Sequence, residues 1–147
     1  MIYRYINEYK KLTDIVHENN SKIALQIAYG GSQTYAEEVE SKEIWGPSAV
    51  ENRVTGITPK KMTKTDINNL SNAFAAAALR AKKSGFDAVE IHGAHGYLLS
   101  QFLTPYYNRR KDEYGGSIEN RARIIYEVYQ EIRDQVGKDF PVLIKLN

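Results

Sequence analysis

Apolar side chains recur along this chain in two distinct rhythms. Ile2, Tyr5, Ile6, Tyr9, Leu12, Ile15 and Val16 recur at helical spacing, with Lys, Glu and Asn between them, and predict an amphipathic helix over 2–18. Asn19-Asn20 is a C-terminal stop. The run IALQIA at 23–28 is almost continuously apolar, which predicts a strand buried on both faces with Gln26 as its one polar interruption. A second helical rhythm, Ile67, Leu70, Phe74, Ala77, Ala78 and Ala81, begins after a cap at Thr63 or Thr65 and ends at Gly85. Asp87–Ile91 then alternates polar and apolar residues between two glycines, as a short strand does. One short helical turn is expected over Tyr97–Leu103 and ends at Thr104-Pro105. The last helix runs from an N-cap at Ser117 to Gly137, with Ile118, Ala122, Ile125, Val128, Tyr129, Ile132 and Val136 as its stripe. The chain closes on the apolar run VLIKL, interrupted by Lys145.

Strands alternating with helices imply a parallel sheet built from crossovers. An open doubly wound sheet and part of an eight-fold barrel both fit this order. A whole barrel needs roughly 250 residues, so 147 residues would be part of one. No dinucleotide fingerprint and no P-loop is present: Gly93-Ala94-His95-Gly96 lacks the three-glycine spacing. The segment 29–62 reads as long and irregular, and loops of that length are usually functional or disordered.

Composition narrows the chemistry. The chain has no cysteine, which removes disulfides, thiolate nucleophiles and cysteine-held clusters from consideration within it. A net charge of +2 gives no reason to expect nucleic acid, and the eleven tyrosines are scattered. Arg109–Lys111 and Lys60–Lys61 read as solvated loop charges. No apolar run reaches the length of a membrane span and no signal-peptide core stands at the N-terminus, so a cytoplasmic protein is expected.

The candidate chemistry concentrates in DAVEIHGAHGY, residues 87–97. Two of the three histidines, His92 and His95, lie there with Tyr97, just past a strand's C-terminal end, where ligands bind in parallel α/β folds. His17, in the last turn of the first helix, reads as structural. A metal site built on His92 and His95 would lack a third ligand nearby. Gln26, inside a strand, must have its amide satisfied, either by neighbouring backbone or by a ligand over the strand ends.

Residues 92–123, HGAHGYLLSQFLTPYYNRRKDEYGGSIENRAR, resemble the long signature of the Old Yellow Enzyme family of FMN-dependent oxidoreductases. That family includes NADH:flavin oxidoreductases and dienoyl-CoA reductases. KKLTDIVHENNSKIALQI and GFDAVEIH are similar to the family's flanking segments. The resemblance implies a parallel (β/α) TIM barrel, present over 1–147 as a partial FMN-binding domain of about three strands and three helices, from the middle of the barrel. It implies reduction of an activated C=C bond by NADH or NADPH through FMN. By position, His92 and His95 match the pair that hydrogen-bonds the carbonyl oxygen of an electron-poor alkene, and Tyr97 matches the tyrosine that protonates the α-carbon. Gln26 matches the glutamine on the flavin's pyrimidine edge, and Lys145 stands where the family commonly has arginine. Tyr29-Gly30-Gly31-Ser32 replaces the family's frequent His-Ala-Gly-Arg. Asn108, Arg109, Arg110, Asp112, Glu119 and Arg121 are expected to form a polar network that fixes the loop after the histidines. The rival reading is an inactive piece that needs the missing half-barrel to bind flavin, and the isolated chain is expected to be inactive. Unpaired sheet edges on such a piece favour self-association into a homo-oligomer.

Overall fold

The computed structural model describes residues 4–35, 37, 39 and 43–147. In chain order the elements are α1 (Arg4–Glu18), β1 (Ala24–Ile27), a 3-10 turn (Gly31–Gln33), β2 (Trp45–Gly46) and β3 (Lys60–Lys61). There follow α2 (Lys64–Lys83), β4 (Ala88–His92), α3 (Leu98–Leu103), α4 (Ile118–Val136) and β5 (Val142–Lys145). Ile2, the first residue of the expected apolar stripe of α1, lies outside the described residues.

β1, β4 and β5 form one parallel sheet with β4 at its centre. Gln26 is level with Glu90, Glu90 with Leu143, and His92 with Lys145. Side chains alternate along a strand, so this register sorts the sheet into two faces. Leu25, Ile27, Val89, Ile91 and Val142 belong to the hydrophobic core with α2 and α4, which pack against each other over that face. Ala24, Gln26, Ala88, Glu90, His92, Leu143 and Lys145 point the other way.

That two-sidedness corrects the expectation for β1. It is not buried on both faces: Ala24, Gln26 and Ala28 are exposed, while Leu25 and Ile27 are half-buried. β1 is an edge strand, and among the described residues no element covers its second face. The small apolar Ala24 and Ala28 made the run look uniformly buried. The helical stripes also need adjustment. α1 forms as expected, yet Tyr5, Tyr9, Leu12 and Ile15 stay largely exposed, and Thr13 is fully buried, its hydroxyl donating to Ser84 O at 2.7 Å. In α4 the buried line is Ile124, Val128, Ile132 and Val136, and Ile118 and Tyr129 are exposed. α2 buries Ile67, Phe74, Ala75, Ala78 and Ala81. Thr63 is its cap: the hydroxyl accepts from Asp66 N at 3.2 Å, and Thr63 N donates to the Asp66 carboxylate at 2.8 Å.

The 29–62 segment is less irregular than its sequence suggests. β2 and β3 pair in parallel, and Lys60 lies over the Trp45 ring at 4.6 Å. Arg110 is a correction of a different kind: it is buried, not a solvated loop charge. Its guanidinium forks onto Asp112 at 2.9 and 2.7 Å and donates to Pro47 O at 3.0 Å and Met62 O at 2.6 Å. Asn108, also buried, donates to Phe102 O and Tyr114 O, each at 2.7 Å, and accepts from Arg110 N at 3.1 Å. Inward-turned carbonyls need donors, and a guanidinium offers five N–H groups in a fixed fork. Arg121 adds a bond to Leu103 O at 2.7 Å. The loop that follows α3 is thus tied to β2, β3 and α3 at once.

Arg110→Met keeps the stem but strands these carbonyls and the Asp112 charge. The variant should lose about 3 kcal/mol of stability, read as a lower urea midpoint at an unchanged m-value. An unchanged midpoint would show that the network is ornamental.

Candidate functional site

The site grows from the C-terminal ends of the sheet strands. β4 carries its last residue, His92, onto the face away from the helices, and the chain then turns sharply through Gly93–Gly96. His95 has a φ of +59° and Gly96 a φ of +70°. A non-glycine residue in that left-handed region costs roughly 1–2 kcal/mol and persists only where neighbours over-determine it. Three side chains do so here. Gln33 donates to His95 O at 2.8 Å, Asn147 accepts from His95 N at 3.1 Å, and Gln101 donates to Gly96 O at 2.6 Å.

This turn folds the three ring-bearing candidates together. The His92 ring meets the His95 ring edge-on, with centroids 5.0 Å apart and planes at 61°. It meets Tyr97 in the same manner at 4.9 Å and 76°. His92 is only 4% exposed, and its Nδ1 is buried with no hydrogen-bond partner. His95 is exposed and Tyr97 half-buried, so the group opens outward. Burial pushes the His92 pKa down, assisted by the nearby His95 and Lys145 and opposed by Glu90. A neutral imidazole with an unclaimed buried nitrogen is therefore the resting state at neutral pH.

Lys145 stands level with His92 on the neighbouring strand β5, on the same face. Gln26 shares that face but lies on the far side of β4 and does not reach the rings. Its amide Nε2 donates to Glu90 Oε1, a side chain on the adjacent strand, in place of the neighbouring backbone. Glu90 is a site residue that no motif marks, although it precedes His92 by two residues and strand alternation puts both on one face. Gln101 is another. That buried side chain donates to Gly30 O at 3.2 Å as well as to Gly96 O, and accepts from Ser32 N at 3.4 Å, so it clips the turn after β1 to the turn after β4. Gly31, at φ +60°, is needed there: a Cβ would stand 2.6 Å from Gln101 Oε1. No single-residue pattern announces such a clip, because its two partners are carbonyls 66 residues apart in sequence (Gly30 and Gly96).

Over residues 3–147 the chain matches the sequence profile described as the NADH:flavin oxidoreductase / NADH oxidase family. The chain belongs to that family. It is 47% identical to the NADPH dehydrogenase of Clostridium acetobutylicum over 132 residues, which is 90% of this chain and 38% of that protein. The solved Old Yellow Enzyme from Pichia sp. AKU4542 superposes with a TM-score of 0.87 at 34% identity, over 96% of this chain and 39% of that one. Morphinone reductase in complex with tetrahydroNAD gives a TM-score of 0.87 at 33% identity, over 94% of this chain and 42% of that one. The chain spans about two-fifths of the length of curated relatives that it matches. Its three parallel strands and their helices are part of the (β/α) barrel of this family. In such a barrel the helices ring the outside, so the face bearing Gln26, Glu90, His92 and Lys145 lines the interior. Among the described residues no helix is long and apolar enough to cross a membrane.

The depressed His92 pKa has a measurable sign. The folded protein binds fewer protons than the unfolded chain just below the ordinary value of about 6.5. Any stability this gives is present above that value and lost as pH falls through the folded pKa. In an NMR titration His92 should have its midpoint below about 6.5. His95→Ala should move that midpoint upward by removing a nearby charge. A His92 midpoint above the ordinary value, or one that falls in His95→Ala, would contradict the geometry described.

Proposed function

We propose that this chain forms part of an FMN-dependent oxidoreductase that reduces activated C=C bonds, of the α,β-unsaturated carbonyl type, with NADH or NADPH as electron donor. The observation that carries the reading is the buried, unpartnered Nδ1 of His92 beside His95 and Tyr97, at the C-terminal end of a barrel strand. On this reading residues 1–147 are one partial FMN-binding barrel domain. Gln26 and Lys145 face the interior where the pyrimidine side of the flavin would lie, and the donor set fits it: an amide for the imide edge and a cation for the N1–O2 side. FMN, when bound, supplies the hydride. Lysine in place of the family's usual arginine keeps that charge without the planar fork.

The chain's own groups then have separate tasks. His92, neutral, offers one N–H, and His95 a second, to the carbonyl oxygen of the alkene substrate. Donors already aimed at an oxygen that gains negative charge stabilise the enolate more than the ground state. Tyr97 holds its proton at Oη and delivers it to the α-carbon as a general acid. The turn 93–97 keeps His95 and Tyr97 each against His92, so little reorganisation is needed as charge develops. The substrate is a small electron-poor molecule, and a cytoplasmic location gives access to reduced nicotinamide.

A second reading is favoured by one observation. Leu143, Ile144 and Leu146 at β5 are 49%, 41% and 57% exposed. An apolar edge of this kind calls for a further strand, supplied by the rest of a barrel or by another copy of the chain. On that reading the 147 residues alone hold flavin weakly or not at all, and are inactive.

FMN titration of the isolated chain tests the second reading, which saturable binding would contradict, and a chimera tests the first. The matching segment of the Clostridium acetobutylicum relative is replaced by this chain, and reduction of a simple cyclic enone is followed with NADPH. The chimera should be active, Tyr97→Phe should slow alkene reduction by about 100-fold or more, and His92→Ala should weaken binding of a phenol. A folded, flavin-loaded chimera with no enone reduction, and a phenol affinity indifferent to His92, would overturn the proposal.

A further inference from the structure

We propose that Glu90 is a positioning residue that fixes which end of the Gln26 amide meets the ligand. The inference rests on the flavin-site reading given above. Gln26 and Glu90 are level on adjacent parallel strands and share the face away from the helices. Gln26 Nε2 donates to Glu90 Oε1. The chemistry of the pair decides the orientation independently of how the amide atoms are placed. An ionised carboxylate only accepts, so the amide end facing it must be the NH2 group. The carbonyl Oε1 of Gln26 is then the end left free, next to one remaining N–H.

An acceptor beside a donor complements a definite ligand edge. It suits an imide, in which an N–H lies beside a carbonyl, as in the pyrimidine ring of an isoalloxazine or in uracil. A glutamine without a fixed partner presents either end, since rotating the amide exchanges donor and acceptor. Gln26 is exposed on an edge strand, and among the described residues no other side-chain hydrogen bond holds it. Glu90 can hold it because β4 is the central strand, with Val89 and Ile91 on either side of Glu90 locked into the core. Its other neighbours on that face are Ala88 and His92 along the strand, and Leu143 and Lys145 on β5. Of these only Lys145 and His92 carry or acquire charge. Glu90 acts on the His92 ring in the opposite sense to Lys145, so the three groups sense one another across the face. Glu90 touches no reacting atom in this account; it acts through Gln26.

The test uses the 147-residue chain and two measurements. In the ligand-free protein, the side-chain NH2 resonances of Gln26 should move with pH as Glu90 titrates, and should be flat over the same range in Glu90→Gln. With FMN added, Glu90→Gln should weaken binding by about tenfold, the order of one charge-assisted hydrogen bond. Glu90→Lys should weaken it further, because a lysine only donates and turns the Gln26 carbonyl away from the ligand. Both changes make the site more positive, so simple attraction for the FMN phosphate predicts tighter binding in each. The direction of the change therefore distinguishes orientation from charge. Riboflavin, which lacks the phosphate, should show the same loss. Gln26 resonances indifferent to pH, or variants that bind FMN as well as or better than the parent, would overturn the inference and leave the flavin site standing. FMN that perturbs neither Gln26 nor His92 in this chain, and that is not held by the chimera described above, would overturn the flavin-site reading, and this inference with it. Thermal unfolding of both variants checks that the fold is retained.

Discussion

Everything in this fold depends on the central strand β4 being paired in parallel on both sides. That pairing lets one five-residue strand serve two purposes. Val89 and Ile91 enter the core beneath α2 and α4, while Ala88, Glu90 and His92 look the other way. The register of β1 and β5 against β4 then decides which side chains share the second face. Gln26 arrives beside Glu90 and Lys145 beside His92 because hydrogen-bonded neighbours in a parallel ladder point alike. A slip of one residue in either neighbour would send Gln26 or Lys145 into the helical layer and bring a core residue to the site. The stability of the core and the composition of the site are therefore fixed by the same hydrogen bonds.

The turn after β4 adds a second level of control. It stores left-handed backbone at His95 and Gly96, and it is clamped by Gln33, Gln101 and Asn147, whose positions come from three separate parts of the chain. Gln101 is the most connected of these, because it spans the turns that follow β1 and β4. The loop beyond α3 is held in a comparable way by Arg110 and Asn108, through backbone carbonyls of distant segments. Polar side chains that satisfy buried carbonyls thus carry the ordering of the strand-end loops, where apolar packing is thin. The rings of His95 and Tyr97 each meet that of His92 edge-on as a result, and His92 Nδ1 is left buried with no hydrogen-bond partner.

Much of this was legible in the residues. Helical and strand rhythms predicted the element order, and the caps at Thr63 and Ser117 fall where the side-chain chemistry puts them. The signature from His92 to Arg123 pointed to the family that the profile and the superposed structures show. The sequence was weaker wherever an outcome depends on a neighbour. β1 looks buried on both faces because its small apolar residues do not reveal that one side lacks a cover. The α4 stripe predicts Val128, Ile132 and Val136, which are buried, but it includes Ile118 and Tyr129, which are exposed, and omits Ile124, which packing buries completely. Arg110 resembled its solvated neighbours Arg109 and Lys111, since a charge run does not show which member meets inward-turned carbonyls. Glu90 was readable in principle from alternation alone. Gln101 was not, because a clip between two carbonyls leaves no local pattern.

The most direct test of the central claim, that the interior face and the turn after β4 form one ligand site, is to map FMN binding on the chain by NMR. FMN is added to the labelled 147-residue protein while backbone and side-chain resonances are followed. The account predicts saturable shifts concentrated at Gln26, Glu90, His92, Lys145 and residues 93–97, with the helical face of the sheet unperturbed. Saturable shifts centred elsewhere, for example along α1 and α2, would contradict it, as would the absence of any shift at His92 at concentrations that saturate the flavin signal.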